Sequence, residues 1–288
     1  MNNKVRKVNV KFFCPLWGSS DLSLPQFFAR VKQAGYSGVE MSLPFSKIEK
    51  SAILAMLDDF GLELIGQHHE TSDSDPARHK DNFRRHMYNL AGARPLFINS
   101  QTGKDYFSYG DNSELIEIGF EVAKETGVQI IHETHRGKFS FALHVTRKYL
   151  DDYPGLELGL DVSHWCNVSE SLLSDQQDDL NLALLRSRHI HARVGYAEGP
   201  QVTDPRLPEW EEALNFHLSC WDRVYKNFSQ KKKECLTITP EFGPYPYMIH
   251  LPFTRMPVAS QWDINDHMKD LLKGRYGKNL NTDSKVSE

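Results

Sequence analysis

The sequence predicts an α/β fold of the (β/α)₈ TIM-barrel class, arranged as a single domain. Three observations carry that expectation. Short β-rich runs alternate with helical patterns along almost the whole chain, which implies a parallel sheet. Eight such units fit into 288 residues, matching a barrel whose typical size is about 250 residues. The first strand runs into Cys14-Pro15-Leu16-Trp17, where a doubly wound open sheet would carry a glycine-rich phosphate turn.

Val8 to Phe13 forms the first β-rich run and ends at a loop beginning with Cys14. Behind the candidate cap Ser23, residues Leu24, Phe27, Phe28, Val31 and Ala34 fall at helical spacing, until Gly35 to Gly38 stop the helix. Val39-Glu40-Met41 is the second strand, Ile48 to Phe60 the second helix and Gly61 its stop. Leu62 to Gly66 leads into Gln67-His68-His69-Glu70, followed by a helix from Asp75 to Ala91. Leu96 to Asn99 is strand four, and Ser113 to Thr126 the helix after it. Strand five spans Val128 to Glu133, before a helix from Phe141 to Tyr149. Leu156 to Asp161 precedes an apolar helix across Leu172 to Leu185. His189 to Arg193 precedes a long loop and the helix Leu214 to Phe228. Leu236 to Glu241 and a helix from Ile264 to Tyr276 complete the eighth unit. The barrel is expected to occupy 1–276, with Gly277 to Glu288 as a polar, frayed tail.

The bulk properties weigh against several function classes. A chain 40% hydrophobic and 25% charged has ample material for a core. A net charge of −4 supplies no positive field for a polyanion, so nucleic acid is not the expected partner. Cys14, Cys166, Cys220 and Cys235 are scattered with no CxxC pair, the pattern of reduced thiols in a cytoplasmic protein. Lys11 interrupts the apolar run behind the basic stretch Met1 to Lys7, and no segment approaches a membrane span. A cytoplasmic protein with no membrane partner is expected.

Active sites of such barrels lie at the C-terminal ends of the strands, so the chemistry is read from the tips. Strand five ends in His132-Glu133, strand six in Gly159-Leu160-Asp161, strand seven carries His189-Ile190-His191-Ala192-Arg193, and strand eight Thr239-Pro240-Glu241. Glu133, Asp161, His191 and Glu241 therefore converge on one rim. Three buried carboxylates beside an imidazole repel one another unless a cation supplies the counter-charge. The set calls for one divalent metal ion. Mixed oxygen and nitrogen ligation favours Mn²⁺, Mg²⁺ or Co²⁺, with Zn²⁺ also compatible and no thiolate to argue for a structural zinc. Open coordination positions would take adjacent oxygens of a hydroxy-ketone and stabilise the enediolate left by proton removal.

These residues carry a family resemblance. Glu133, Asp161 in DVSH, His191 in HIHARVG and Glu241 in PEFGP resemble the xylose isomerase-like TIM-barrel superfamily, including its sugar phosphate isomerases and epimerases, inosose dehydratases and the endonuclease IV group. The resemblance runs from Val8 to about Tyr276. It implies a sugar or polyol isomerase or epimerase in which Glu133 and Glu241 bind the metal and also act as the acid/base pair. Asp161 and His191 would complete the metal shell, His164 would lie near metal and substrate, and a homodimer is compatible. An inosose-type dehydratase on the same metal site is the alternative. A phosphodiesterase of the endonuclease type would need further His and Asp ligands, which Asn99 to Asp105 and Ala192 to Tyr196 do not provide. Ala197 stands where the epimerases place a substrate-holding arginine, leaving Arg193 or Arg136 as substitutes.

Other residues carry two readings each. His189 shares the face of His191 and is an alternative ligand, whereas His132 should turn toward the helices. His135 and Arg136 either meet substrate or cap the next helix. His69 (with His68) and Lys104 (with Asp105) are rim candidates, and Glu40 has similar standing. Trp17, Trp165 and Phe242 either floor a sugar pocket or belong to the core. The seventh loop, Tyr196 to Pro208, is the longest and proline-stiffened, and Gln201 or Arg206 within it is a candidate substrate contact.

Overall fold

The computed structural model describes residues 8–231 and 235–277, so the basic start, most of the lysine run before strand eight and the tail beyond Gly277 lie outside the described residues. Eight strands are present: β1 (Asn9–Pro15), β2 (Gly38–Met41), β3 (Glu63–His68), β4 (Ile98–Ser100), β5 (Ile130–Glu133), β6 (Leu158–Leu160), β7 (Ser187–His191) and β8 (Cys235–Thr239). Each pairs in parallel with the next, and β1 returns to β8 with Asn9 opposite Cys235 and Phe12 opposite Ile238. The sheet is a closed (β/α)₈ barrel.

Outside the ring lie α1 (Leu24–Gln33), α2 (Lys47–Asp59), α3 (Pro76–Ala91), α4 (Tyr109–Thr126), α5 (Leu143–Asp152), α6 (Val162–Val168), α7 (Gln177–Arg186), α8 (Glu211–Gln230) and α9 (Gln261–Gly277). Local chemistry sets their ends. The Ser23 N–H donates to Gln26 Oε1 at 3.0 Å, and Asp75 Oδ1 accepts from the Arg78 N–H at 2.9 Å. Gly127 closes α4 at φ 73°, a conformation that costs glycine no steric penalty. No helix among the described residues is long and apolar enough to cross a membrane.

The barrel interior is layered by strand alternation. Phe13, Ile65, Phe97 and Ile131 form a small separate core that plugs the barrel. Two positions further along the same face, Ile65 gives way to Gln67, Phe97 to Asn99 and Ile131 to Glu133, so the interior turns from apolar to polar toward the strand tips. Gly159 makes room for that layer, because a Cβ there would lie 2.2 Å from Asn99 Oδ1.

Several expected bounds need correcting, among them that of β7, which runs Ser187–His191 and stops short of Arg193. The helix expected across Leu172 to Leu185 begins only at Gln177, as α7, with Leu173 at φ 57° in the connection before it, and an unexpected helix, α6, stands at Val162–Val168. Asp161 ends β6 early because its Oδ1 accepts from the Ser163 N–H at 3.1 Å and starts α6. Likewise β8 stops at Thr239 and not at Glu241, since Pro240 has no N–H with which to continue the ladder.

Candidate metal centre

Each of the four expected ligands is placed by a strand tip. Glu133 and His191 are the last residues of β5 and β7, Asp161 caps α6 one residue past β6, and Glu241 stands two past β8. All four are buried, and one ligand atom from each lies within 4.8 Å of the others. Glu133 Oε2 and His191 Nδ1 are buried with no hydrogen-bond partner. Nδ1 stands 2.9 Å from Glu241 Oε2 without hydrogen-bond alignment, and 3.7 Å from Glu133 Oε1. Ligand atoms joined to one octahedral ion by bonds of about 2.1 Å stand about 3 Å apart. The orphaned atoms and their spacing fit a divalent cation.

The layer beneath explains why Nδ1 is the free nitrogen. Glu40 is fully buried; its Oε1 accepts from His191 Nε2 at 3.0 Å and from Asn99 Nδ2 at 2.9 Å. Its Oε2 accepts from Thr239 Oγ1 at 2.6 Å and lies 3.2 Å from His189 Nε2. Holding the outer nitrogen of a ligating histidine with a carboxylate fixes ring and tautomer. His189, the alternative ligand, has both nitrogens engaged, Nδ1 with Thr237 Oγ1 at 2.8 Å and Nε2 with Glu40. It belongs to the supporting layer.

Charge in this cluster is balanced by protons and one arginine. Burial pushes the Glu133 carboxyl up to about 8; His191 opposes this, and Glu241, Asp161 and Glu40 reinforce it. Burial works against charge on His191, but Glu241, Glu40 and Glu133 outweigh it and raise its pKa well above the usual value. Burial acts to raise the Glu241 carboxyl, yet His191 and Arg193 together hold it low. Asp161 is raised by burial despite Arg193. Arg193 Nη2 pairs with Asp161 Oδ2 and stands 3.8 Å from Glu241 Oε2. A carboxylate oxygen has two lone pairs, so Asp161 Oδ2 can hold arginine and metal at once.

A cavity of about 670 Å³ opens over the cluster, and Glu133, Glu241, His135, Arg193, His69 and Trp17 are among its lining residues. His164 is buried behind that wall, with Nε2 2.7 Å from Arg193 Nη2 and its ring 3.9 Å from the His135 ring. Arg136 reaches Asn167 Oδ1 at 3.2 Å and lies over Tyr247; Lys104 is held through its backbone by Asn112. Neither of them, nor His164, lines the cavity. Gln201 clamps the Gly243 backbone and Arg206 pairs with Asp204, both away from the lining. Trp165 and Phe242 are core, and His132 turns outward to Thr102 Oγ1 at 2.8 Å.

Two residues went unread in the sequence. Gln101 Nε2 donates to Glu133 Oε1 at 3.2 Å, and Gln67 Nε2 to Glu241 Oε1 at 3.4 Å. Each glutamine engages Oε1 of one glutamate and leaves Oε2 for other work. Their place at the ends of strands three and four was the available signal.

No family model matches the chain. An inosose dehydratase of Mesomycoplasma hyopneumoniae is 25% identical over 218 residues, covering 66% of this chain and 71% of that protein. Among solved structures, 3-keto-D-glucoside 4-epimerase from E. coli superposes with TM-score 0.61 at 14% identity, covering 92% of this chain and all of that one. A xylose isomerase-like TIM-barrel protein from Mycobacterium smegmatis in complex with magnesium superposes with TM-score 0.56 at 10% identity, over 92% and 97% of the two chains. The chain has the fold of the xylose isomerase-like TIM barrels.

Proposed function

We propose that the chain is a divalent-metal-dependent isomerase or epimerase of a sugar or polyol, with Glu133, Asp161, His191 and Glu241 as metal ligands and Glu133 and Glu241 as the acid/base pair. The carrying observation is the pair of orphaned atoms, Glu133 Oε2 and His191 Nδ1, within a four-ligand cluster at the strand tips. When bound, the ion supplies positive charge to two adjacent substrate oxygens, whose charge grows as a carbon-bound proton leaves. One glutamate Oε2 takes the proton next to the carbonyl, giving an enediolate, and a glutamate returns it to either carbon or either face. Gln67 and Gln101 keep the two carboxylates aimed, and Arg193 faces the cavity to hold substrate hydroxyls. Mn²⁺, Mg²⁺ and Co²⁺ suit this donor set. A cytoplasmic setting accords with the free cysteines.

The sequence similarity to an inosose dehydratase favours one second reading, in which the same enediolate expels a β-hydroxyl and water is lost. One experiment separates the two. Ketoses and inososes are incubated with Mn²⁺-loaded protein in D₂O and followed by NMR and mass spectrometry. Deuterium at a single carbon without change of composition supports isomerisation, and loss of water supports dehydration. Glu133→Gln and Glu241→Gln should each lower exchange by at least about 100-fold. Exchange that survives both substitutions would overturn the acid/base assignment.

A further inference from the structure

The cavity over the ligand cluster is too large for one sugar ring. A hexose displaces roughly seven waters, about 200 Å³ at about 30 Å³ each, whereas the cavity holds about 670 Å³. The remaining space is chemically one-sided. Most of its polar lining comes from β3, β4, β5 and β7 through Gln67, His69, Gln101, Glu133, His135 and Arg193, with Glu241 added from beyond β8. The facing sector comes from the segments after β8, β1 and β2, and Leu16, Trp17, Leu22, Leu24, Met41 and Tyr247 make it mainly apolar, with Ser19, Ser20 and Ser42 between them. Leu16, Trp17, Leu22 and Leu24 are only half-buried, so this apolar surface is open to whatever enters. Trp17 and Tyr247 meet edge to face at 5.1 Å, which fixes both rings as a wall.

The lining does not suit a phosphate. Among the described residues, Arg193 is the one lysine or arginine lining the cavity, and Asp161 and Glu241 already surround it. The N–H groups of Ser19, Leu22 and Ser23 in the β1–α1 loop are used within the chain, by Leu16 O, Ser19 O and Gln26 Oε1, so none of these three is offered to an anion.

We infer that the site takes an uncharged keto-sugar bearing an apolar substituent, an aryl or alkyl glycoside that keeps a ring carbonyl for the proton abstraction proposed above, with the ring over the ligand cluster and the substituent against the wall built by Trp17, Leu22, Leu24 and Tyr247. The inference rests on the metal-site reading above, which places the ring. Covering the half-buried leucines removes apolar surface from water, and this favours the substituted sugar over the bare one.

Calorimetric titration tests it with phenyl and methyl glycosides of glucose, galactose and mannose, which lack the carbonyl and so serve as unreactive binding probes, and with glucose 6-phosphate, on Mn²⁺-loaded and metal-free protein. The phenyl glycoside of at least one sugar should bind ten-fold or more tighter than its methyl counterpart, and glucose 6-phosphate more weakly than either. Leu22→Ser and Leu24→Ser should each shrink that ratio several-fold and leave the methyl glycoside unchanged, and Leu22→Met should restore it. A ratio near one for every sugar, tighter binding of the phosphate, or no binding at all would overturn the inference. Mn²⁺ binding followed separately by EPR keeps the two readings apart. If no ion binds, the metal site fails, and the phenyl-to-methyl ratio on metal-free protein still decides the apolar subsite.

Discussion

Glu40 does not line the cavity, yet its two oxygens set the state of both β7 histidines. With Nε2 of His191 donating to Glu40, the lone pair on Nδ1 faces the carboxylate of Glu241, and only a proton or a cation relieves that contact. Glu40→Gln replaces one acceptor oxygen by an amide donor and frees the His191 ring. Metal affinity should fall about 10- to 100-fold, measured by Mn²⁺ titration with EPR, while the folded state persists. An unchanged affinity would mean that Glu40 serves packing alone. At this scale the sequence was legible where residues ionise at a strand tip, as Glu133, Asp161, His191 and Glu241 do. Gln67, Gln101 and Asn99 were not legible, because a neutral amide takes its meaning from a carboxylate on another strand. Glu40 was visible only as a rim candidate, since nothing local shows that it faces His189 and His191 across the ring.

Asp161 belongs to two elements at once, and α6 begins because of it. Its Oδ1 accepts from the Ser163 N–H, while Oδ2 pairs with the buried Arg193. Asp161→Asn keeps a good capping side chain and loses the charge; Asp161→Ala loses both and leaves a guanidinium buried among fewer acceptors. The alanine variant should be destabilised by about 3–5 kcal/mol, and the asparagine variant by about 1 kcal/mol less, the typical worth of a cap. Urea denaturation of the metal-free protein measures both, and equal losses would deny Asp161 its capping role. All eight strands were legible from their apolar runs, yet their ends were shifted. Asp161-Val162-Ser163-His164 reads equally as a strand end or a helix start, and the hydrogen bond to Ser163 decides it. Leu172 and Leu173 resembled the start of an apolar helix but belong to the connection preceding α7.

For the whole molecule, acid sensitivity follows from histidines buried in the neutral form. His217 in α8 is completely buried, donates from Nδ1 to Ala213 O at 2.8 Å, and accepts the Gly195 N–H at Nε2 at 3.2 Å. Burial disfavours the charged ring and outweighs the hydrogen bond to Ala213 O, and a proton on Nε2 would also face the Gly195 N–H, so the imidazole is held down at about 4 against 6.5 when unfolded. The depressed value favours the neutral folded form. Stability is therefore full above pH 6.5 and falls as the pH drops toward 4, by about 3 kcal/mol from this residue. His217→Gln should flatten that slope in denaturation curves measured between pH 7 and 4.5, and an identical slope would remove His217 as its source. The fold class was the most legible level of all, because alternation, length and the missing phosphate turn point the same way.

The pairing of β1 with β8 carries one last consequence. The proposed ligands come from the second half of the ring, but Glu40, Gln67 and Asn99 come from the first, so neither half alone holds a finished site. An ion bound as proposed would thereby sense ring closure. Two separately expressed halves, cut between α4 and β5, would be poor chelators apart and would regain tight binding only by reassembling into one barrel.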